Sequence, residues 1–276
     1  DNVATLRRRG IVVLEPAHGR LTGTDTGPGR MLEAAQIAEM ARTVLETGSY
    51  GLSLQGKKVV ISAGGTQENI DPVRYIGNRS SGRQGFALAD IAAHRGADVT
   101  IVAGDTDALD TPPGAEIIKV RSTREMKEAV DQAAADADIV IMAAAVSDYR
   151  PENEADSKLK KGESDDALAT LHMVENPDIL KGLVEKRDAG ETTATIVGFA
   201  AETDNPLEYG KAKLERKGAD LLMVNSVAGG AVFGELRNSG WLIGEGGDVE
   251  EIPDGPKHVV AARIWDGIEA LSLNRQ

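Results

Sequence analysis

The stretch Val59-Val60-Ile61-Ser62-Ala63-Gly64-Gly65-Thr66-Gln67-Glu68-Asn69-Ile70-Asp71-Pro72-Val73-Arg74-Tyr75-Ile76-Gly77-Asn78-Arg79-Ser80-Ser81-Gly82-Arg83-Gln84-Gly85-Phe86-Ala87-Leu88-Ala89-Asp90-Ile91-Ala92 decides the fold. Its apolar start, 59–61, reads as a buried strand, and 86–92 reads as an amphipathic helix. Connections between a strand and the next helix usually take about 2–6 residues. The connection 64–85 is several times longer and is filled with glycines, hydroxyls, amides and arginines. So long a loop, so rich in donors, is expected to grip a ligand.

Downstream, strand and helix alternate. Strands are expected at 98–103, at 116–120 after the turn Thr111-Pro112-Pro113-Gly114, and at 139–142. Ser122 or Thr123 caps a helix to about Ala135, with Glu125 and Glu128 in its early turns. After the polar segment 151–167 the sheet is expected to resume at 169–173. Asn176 reads as a helix N-cap with Pro177 at the first helical position. A helix to about Arg187, a strand at 195–199, a helix from about Pro206 to Lys217 and a buried strand at 221–224 follow. A hairpin with strands near 241–243 and 249–252 and a last helix from about Pro256 to Leu271 end the pattern. This alternation predicts an α/β fold: a Rossmann-like, three-layer, doubly wound and mostly parallel sheet with a small hairpin extension.

Upstream, residues 1–50 do not open a domain. Ile11-Val12-Val13-Leu14 reads as a short strand, a glycine-rich loop runs through Gly29-Arg30-Met31, and a helix carries Ala34, Ile37, Ala38, Met40, Ala41 and Leu45 on or near one face. One strand and one helix enclose no core, so this piece must pack on something else. Residues 48–57 read as a linker, and the main domain occupies 57–276.

The totals narrow the function. With 276 residues the chain can bury a full core. It has no cysteine, and its histidines, His18, His94, His172 and His258, show no ligand-like spacing, which disfavours thiolate chemistry and a histidine-built zinc site. A formal charge of −13 argues against a nucleic-acid partner. No window is apolar enough for a membrane span and no secretory signal opens the chain. A cytoplasmic protein is expected.

In open parallel sheets the ligand sits at the carboxyl ends of the strands. That rim should gather the loop 64–85, residues 143–150, 176–178, 199–203 and Asn225. Lys158, Lys160, Lys161, Lys213 and Lys217 then either supply positive charge for a polyphosphate or are ordinary solvated surface. Asp148 either holds Mg²⁺ against phosphates or caps a helix. Phe199 serves either the core or a base, and Asn78 and Asn225 are equally turn formers. The dinucleotide fingerprint G-x-G-x-x-G is absent from the first loop.

These segments together resemble the bacterial phosphopantothenoylcysteine synthetase family. The resemblance is carried, in order over roughly 57–272, by Ser62-Ala63-Gly64-Gly65-Thr66, Asp71-Pro72-Val73-Arg74-Tyr75-Ile76, Asn78-Arg79-Ser80-Ser81-Gly82, Ala143-Ala144-Ala145-Val146 with Asp148-Tyr149-Arg150, Lys158-Leu159-Lys160-Lys161, Asn176-Pro177-Asp178 and Gly198-Phe199-Ala200-Ala201-Glu202-Thr203. Residues 1–50 resemble the tail of the flavin-dependent decarboxylase that bacteria fuse ahead of the synthetase, with Gly27-Pro28-Gly29-Arg30-Met31 like its substrate flap. The flavin-holding part is missing, and Leu21-Thr22-Gly23-Thr24-Asp25 lacks the cysteine of many members, so neither FMN binding nor decarboxylation is expected of this chain.

The resemblance implies a ligase that joins 4′-phosphopantothenate to L-cysteine with CTP through an acyl-cytidylate. It assigns catalytic roles to Lys158, Asn78 and Arg74. Nucleotide contacts fall to Gly64, Gly65, Thr66, Ala143, Ala144, Ala145, Asp148, Lys158, Lys161, Asn176, Pro177, Asp178, Ile179, Phe199, Lys213 and Lys217. Substrate contacts fall to Arg74, Asn78, Arg79, Ser80, Ser81 and Gly82, and Mg²⁺ or Mn²⁺ to Asp148 with the CTP phosphates. It further implies a homodimer, or a higher oligomer when a full decarboxylase domain is present, with the glycine-rich hairpin region near the neighbour's site. The competing readings are a nicotinamide-dependent oxidoreductase and a non-catalytic nucleotide-binding or assembly module.

Overall fold

A computed structural model of the chain describes residues 1–48, 51–160, 170–202, 205–226 and 235–274. The end of the polar segment with Lys161 (161–169), Thr203 and the glycine-rich stretch 227–234 lie outside the described residues. The chain runs α1 (Asn2–Arg8), β1 (Ala17–Arg20), β2 (Thr26–Arg30) and α2 (Ala34–Thr47), then β3 (Lys58–Ala63), β4 (Gln67–Asn69), β5 (Tyr75–Gly77) and α3 (Arg83–His94). Next come β6 (Asp98–Ala103), β7 (Glu116–Lys119), α4 (Thr123–Ala133), β8 (Ile139–Met142), β9 (Tyr149–Pro151), β10 (Met173–Glu175) and α5 (Ile179–Asp188). The rest is β11 (Thr195–Glu202), α6 (Pro206–Lys217), β12 (Leu221–Ser226), β13 (Arg237–Gly244), β14 (Val249–Pro256) and α7 (Lys257–Asn274).

The main sheet has the order β14-β13-β12-β11-β8-β3-β6-β7. From β7 to β12 the neighbours are parallel, and β12, β13 and β14 add an antiparallel edge. The chain winds outward from β3 to β7, then restarts on the other side at β8. The strand order therefore reverses between β3 and β8, where a crevice opens in doubly wound sheets.

Alternation along the strands sorts the two faces. Val59, Ile61 and Ala63 of β3 join Ile139 and Ile141 of β8 in a core with α3 and α7, while Val60, Val140 and Met142 face α4, α5 and α6. Three layers result. Trp265, fully buried, donates its indole N–H to the carbonyl of Leu88 at 2.9 Å and so staples α7 to α3. The amino-terminal helix α2 packs on α7 with Met40 and Thr43 buried, as a piece without its own core must. Among the described residues no helix is long and apolar enough to cross a membrane.

Four local expectations differ from the structure. The run 11–14 forms no strand; Leu14 instead packs against the core, and the hairpin of β1 and β2 follows it. The loop 64–85 is not bare, for β4 and β5 pair within it as an antiparallel hairpin. Beyond residue 170, β10 pairs with β9 in a separate two-stranded ribbon, because both edges of β8 are already taken by β3 and β11. Finally, Asp178 caps α5 by accepting from the Lys181 N–H at 3.0 Å, while Asn176 spends its amide on the Ser147 carbonyl at 2.9 Å.

Candidate active site

The carboxyl ends of β3, β8, β11 and β12 surround a cleft of about 900 Å³. One wall is the loop from Asn78 to Gly85, and the floor is Met142 to Tyr149. The opposite wall is Glu175 to Leu180 with Phe199 to Ala201, closed by Lys213 and Lys217, and Asn225, Asn238 and Lys257 line the far side. Segments distant in sequence thus meet along one rim, as the strand pattern predicts.

The floor is held from below. Glu68, buried, accepts from the Thr123 N–H at 2.9 Å and from its hydroxyl at 2.8 Å. Thr123 and Thr66 hydroxyls lie 3.1 Å apart, and Thr66 Oγ1 accepts from the Ser147 N–H at 2.9 Å. Gly64 and Gly65 run between two neighbouring loops: Gly65 exchanges hydrogen bonds with Asp105 at 2.9 and 2.8 Å, and Gly64 accepts from the Ala145 N–H at 2.8 Å. Gly64, Gly65 and Thr66 therefore position the cleft from beneath and do not line it.

Asn78 lines the cleft and donates its side-chain amide to the Val146 carbonyl at 3.0 Å. Arg79, Ser80, Ser81 and Gly82 line the cleft beside it. Gly82 precedes α3 with φ +73°, and no side chain caps the first N–H groups of α3. Only glycine suits that place, since a Cβ would meet Thr106 Cγ2 at 2.6 Å.

Arg74 does not line the cleft. It belongs to a buried knot around Asp71, whose carboxylate accepts from the N–H groups of Val73 and Arg74, each at 2.8 Å, and of Leu159 at 3.1 Å. The Arg74 guanidinium holds the Asp71 carboxyl well below the usual carboxylate range, and the backbone N–H groups add to this against the effect of burial. The same guanidinium donates to the Leu159 carbonyl at 2.7 Å. Lys158, exposed and adjacent, is thus carried on a segment fixed to the loop 64–85. Asn69 to Glu154 at 2.8 Å, and the Ala155 N–H to the Ile70 carbonyl at 3.0 Å, extend the same contact.

On the opposite wall Lys217 pairs with Asp178, and Lys213 lies 3.7 Å from Glu202. Burial alone would raise the Asp178 carboxyl; Lys217 and the Lys181 N–H outweigh it and hold the group below its ordinary range. Phe199 lines this end half-buried, and Ala143, Ala144 and Ala145 leave its floor flat and free of bulk. Asp148 is exposed at the rim, beside Asn176, whose N–H donates to the Asp148 carbonyl at 2.8 Å. Among the described residues no group of three acidic or histidine side chains converges on a metal position. A lone carboxylate such as Asp148 would suit Mg²⁺ only where phosphate oxygens supplied most of its ligands.

The sequence reading missed Gln84, Asn238 and Lys257, all of which line the cleft. For Lys257 there was a signal: a lysine at the start of a helix opposes the helix dipole.

Comparison with known proteins places these features. Residues 54–271 match the family described as the DNA/pantothenate metabolism flavoprotein C-terminal domain. The coenzyme A biosynthesis bifunctional protein CoaBC of Mycolicibacterium smegmatis is 48% identical over 278 residues, which takes in 98% of this chain and 67% of that protein. The counterpart from Mycobacterium tuberculosis is also 48% identical, over 97% of this chain and 65% of its own length. The chain thus spans about two thirds of these relatives. A crystal structure of the C-terminal domain of a CoaBC protein superposes with a TM-score of 0.68 at 36% identity, covering 81% of this chain and all of the other.

Proposed function

Because this chain belongs to the family of the DNA/pantothenate metabolism flavoprotein C-terminal domain, we propose that it is a ligase of coenzyme A biosynthesis. It joins 4′-phosphopantothenate to L-cysteine at the expense of CTP. The observation that carries the reading is convergence: Asn78 to Gly82, Ala143 to Asp148, Asn176 to Asp178 and Phe199 to Ala201, distant along the chain, line one cleft, while Lys158 lies outside that lining on a segment joined to Arg74 through Leu159. The CoaBC relatives, named for coenzyme A biosynthesis, support it.

In this reading a carboxylate oxygen of the acid attacks the α-phosphorus of CTP. A new P–O bond forms, the bond to the β-phosphate breaks, and pyrophosphate leaves. The cysteine nitrogen then attacks the acyl carbon, CMP leaves with the carboxylate oxygen, and the nitrogen gives up a proton. Neither step requires a protein nucleophile; both require cations placed where negative charge gathers. Lys213 and Lys217 hold the phosphates of CTP, with Phe199 and the Ala143–Ala145 floor beside the nucleoside. Asp178 keeps Lys217 oriented until phosphate displaces it.

Lys158, carried on the segment pinned by Arg74, supplies charge at the α-phosphate. Asn78 presents its amide to the acyl group, and Ser80, Ser81 and Gly82 lead the acid toward α3. Asp148 would hold Mg²⁺ together with the phosphates, and that ion supplies further charge neutralisation. A homodimer is part of the same proposal.

The test is pyrophosphate release with phosphopantothenate and cysteine, run in parallel with CTP and ATP. Phosphopantothenoylcysteine formed faster with CTP is the expected result. Absence of amide with either nucleotide would overturn the reading.

A further inference from the structure

Glu68 is a carboxylate buried beneath the cleft floor, 3% exposed, where strand residues are usually apolar. β4 delivers it there: the Gln67 N–H donates to the Arg121 carbonyl at 2.8 Å and sets β4 beside the turn that starts α4. Thr123, the first residue of α4, gives Glu68 both its N–H and its hydroxyl. A carboxylate at a helix amino terminus is favourable, which accounts for the N–H. Capping does not account for the hydroxyl or for what lies behind it.

A hydroxyl has one proton to donate. Thr123 Oγ1 lies 2.8 Å from Glu68 and 3.3 Å from the Ser147 carbonyl, and the shorter bond, to the carboxylate, takes the proton. Thr66 Oγ1, 3.1 Å from Thr123 Oγ1, must then donate its own proton to it. The Thr66 oxygen is left to accept the Ser147 N–H at 2.9 Å. Both threonines are buried. The bonds therefore run one way, from the Ser147 N–H through Thr66 and Thr123 to Glu68, and the carboxylate sets the direction.

What this chain holds is backbone. The Ser147 hydroxyl is buried and makes no hydrogen bond among the described residues. Ser147 is fixed instead by its N–H on Thr66 and by its carbonyl, which accepts from Asn176 Nδ2 at 2.9 Å. The Asn176 N–H holds the next carbonyl, that of Asp148, at 2.8 Å. Ser147 and Asp148 line the cleft between the alanine floor and the wall that begins at Glu175. Glu68, Thr66 and Thr123 do not line it.

We propose that Glu68, Thr123 and Thr66 are positioning residues for the first half of the reaction: their directed hydrogen-bond chain sets the Ser147–Asp148 backbone against the nucleotide. This rests on the ligase reading above. The three act through the backbone they hold and touch no reacting atom.

The experiment follows exchange of labelled pyrophosphate into CTP with phosphopantothenate and no cysteine, which isolates formation of the acyl-cytidylate. It compares wild type with Thr123→Val, Thr66→Val, the double variant and Thr123→Ser, and records the melting temperature of each. Valine keeps the branched shape and removes the hydroxyl. Thr123→Val should lower the exchange rate at saturating substrates about 10- to 100-fold, the cost of ångström-scale misplacement, with KM for phosphopantothenate within about 3-fold. Thr123→Ser should restore exchange, a rescue that a merely structural role for the side chain does not predict. The double variant should be no slower than the slower single one, because groups in series fail together. Melting temperatures should fall by only a few degrees, so every assay runs on folded protein. Exchange by Thr123→Val within about 3-fold of wild type, whether or not its melting temperature falls, overturns the positioning role. So does a loss that serine leaves unrestored, or a double variant whose loss is the product of the two single losses. A wild type that neither exchanges pyrophosphate with CTP or ATP nor forms amide overturns instead the ligase reading.

Discussion

The guanidinium of Arg74 donates to the carbonyl oxygen of Leu159 at 2.7 Å, across 85 residues of sequence. The Asp71 carboxylate accepts the N–H of the same residue at 3.1 Å, so Leu159 is gripped on both sides of its backbone. The loop after the first strand and the segment bearing Lys158 are therefore joined through both sides of one peptide backbone.

Arg74→Ala should lower the rate of amide formation about 10- to 100-fold by releasing Lys158, a cost of the size expected from ångström-scale misplacement. Because Arg74 does not line the cleft, KM for CTP should change little. Steady-state kinetics with each substrate varied in turn checks this. A large rise in KM for CTP with kcat intact would contradict the positioning role.

Lys217→Met should raise KM for CTP about 10- to 100-fold, the equivalent of roughly 1.5–3 kcal/mol for a hydrogen bond to a charged group. The fold should survive, since Asp178 keeps its helix cap through the Lys181 N–H. Titration of CTP in the pyrophosphate assay measures the shift. Asp178→Asn, which keeps a capping oxygen, should affect CTP far less.

Gly64 has φ +80°, and a Cβ there would lie 2.4 Å from the Asp105 carbonyl and 2.7 Å from Thr106 Cγ2. Gly64→Ala should destabilise the protein by about 2–4 kcal/mol, since strain and overpacking act together. Urea unfolding followed by far-ultraviolet circular dichroism reads it. An unchanged midpoint would show that the loop accommodates a side chain.

His258 bridges α2 and α3, with Nδ1 2.8 Å from Glu39 and Nε2 3.1 Å from Asp90. Burial opposes its charge, but Asp90 and Glu39 outweigh burial and raise its pKa to about 9. The pKa is higher folded than unfolded, so the stabilisation is full below about 6.5 and is lost as pH rises through about 9. Both carboxylates are held low, and their share is instead lost on acidification through the carboxylate range. The shift corresponds to roughly 3 kcal/mol at most. The difference in melting temperature between wild type and His258→Gln should be several degrees at pH 6 and should vanish by about pH 10. A difference independent of pH would remove the charge from the account.

The sequence made the doubly wound sheet legible because its central strands are buried on both faces and read as unbroken apolar runs, such as Val59-Val60-Ile61 and Ile139-Val140-Ile141-Met142. Helix ends with ordinary chemistry were equally plain, as at Ser122 and Pro206. The hairpin of β4 and β5 was hidden because its buried residue is Glu68, which goes inside to satisfy Thr123 rather than to bury apolar surface. At 11–14 the opposite error arose: apolar residues signalled a strand, but only Leu14 packs against the core and Ile11 is exposed, while β1 and β2, polar and glycine-bearing, make the ladder.

Within the site, motif residues on strand ends were legible as lining. The hydrogen bonds of Arg74 to Leu159 and of Thr66 to Ser147 were not, because only the fold reveals which way a polar side chain turns. Lys257 escaped because it stands alone between a hairpin and a helix, outside any motif, and its burial is a property of the packed layers.

The most direct measurement follows oxygen. Phosphopantothenate labelled with ¹⁸O in its carboxylate is turned over with CTP and cysteine, and the released CMP and pyrophosphate are weighed by mass spectrometry. Attack of the carboxylate on the α-phosphorus predicts one labelled oxygen in CMP and none in pyrophosphate. Label in pyrophosphate or phosphate, or unlabelled CMP accompanied by amide product, would contradict the account.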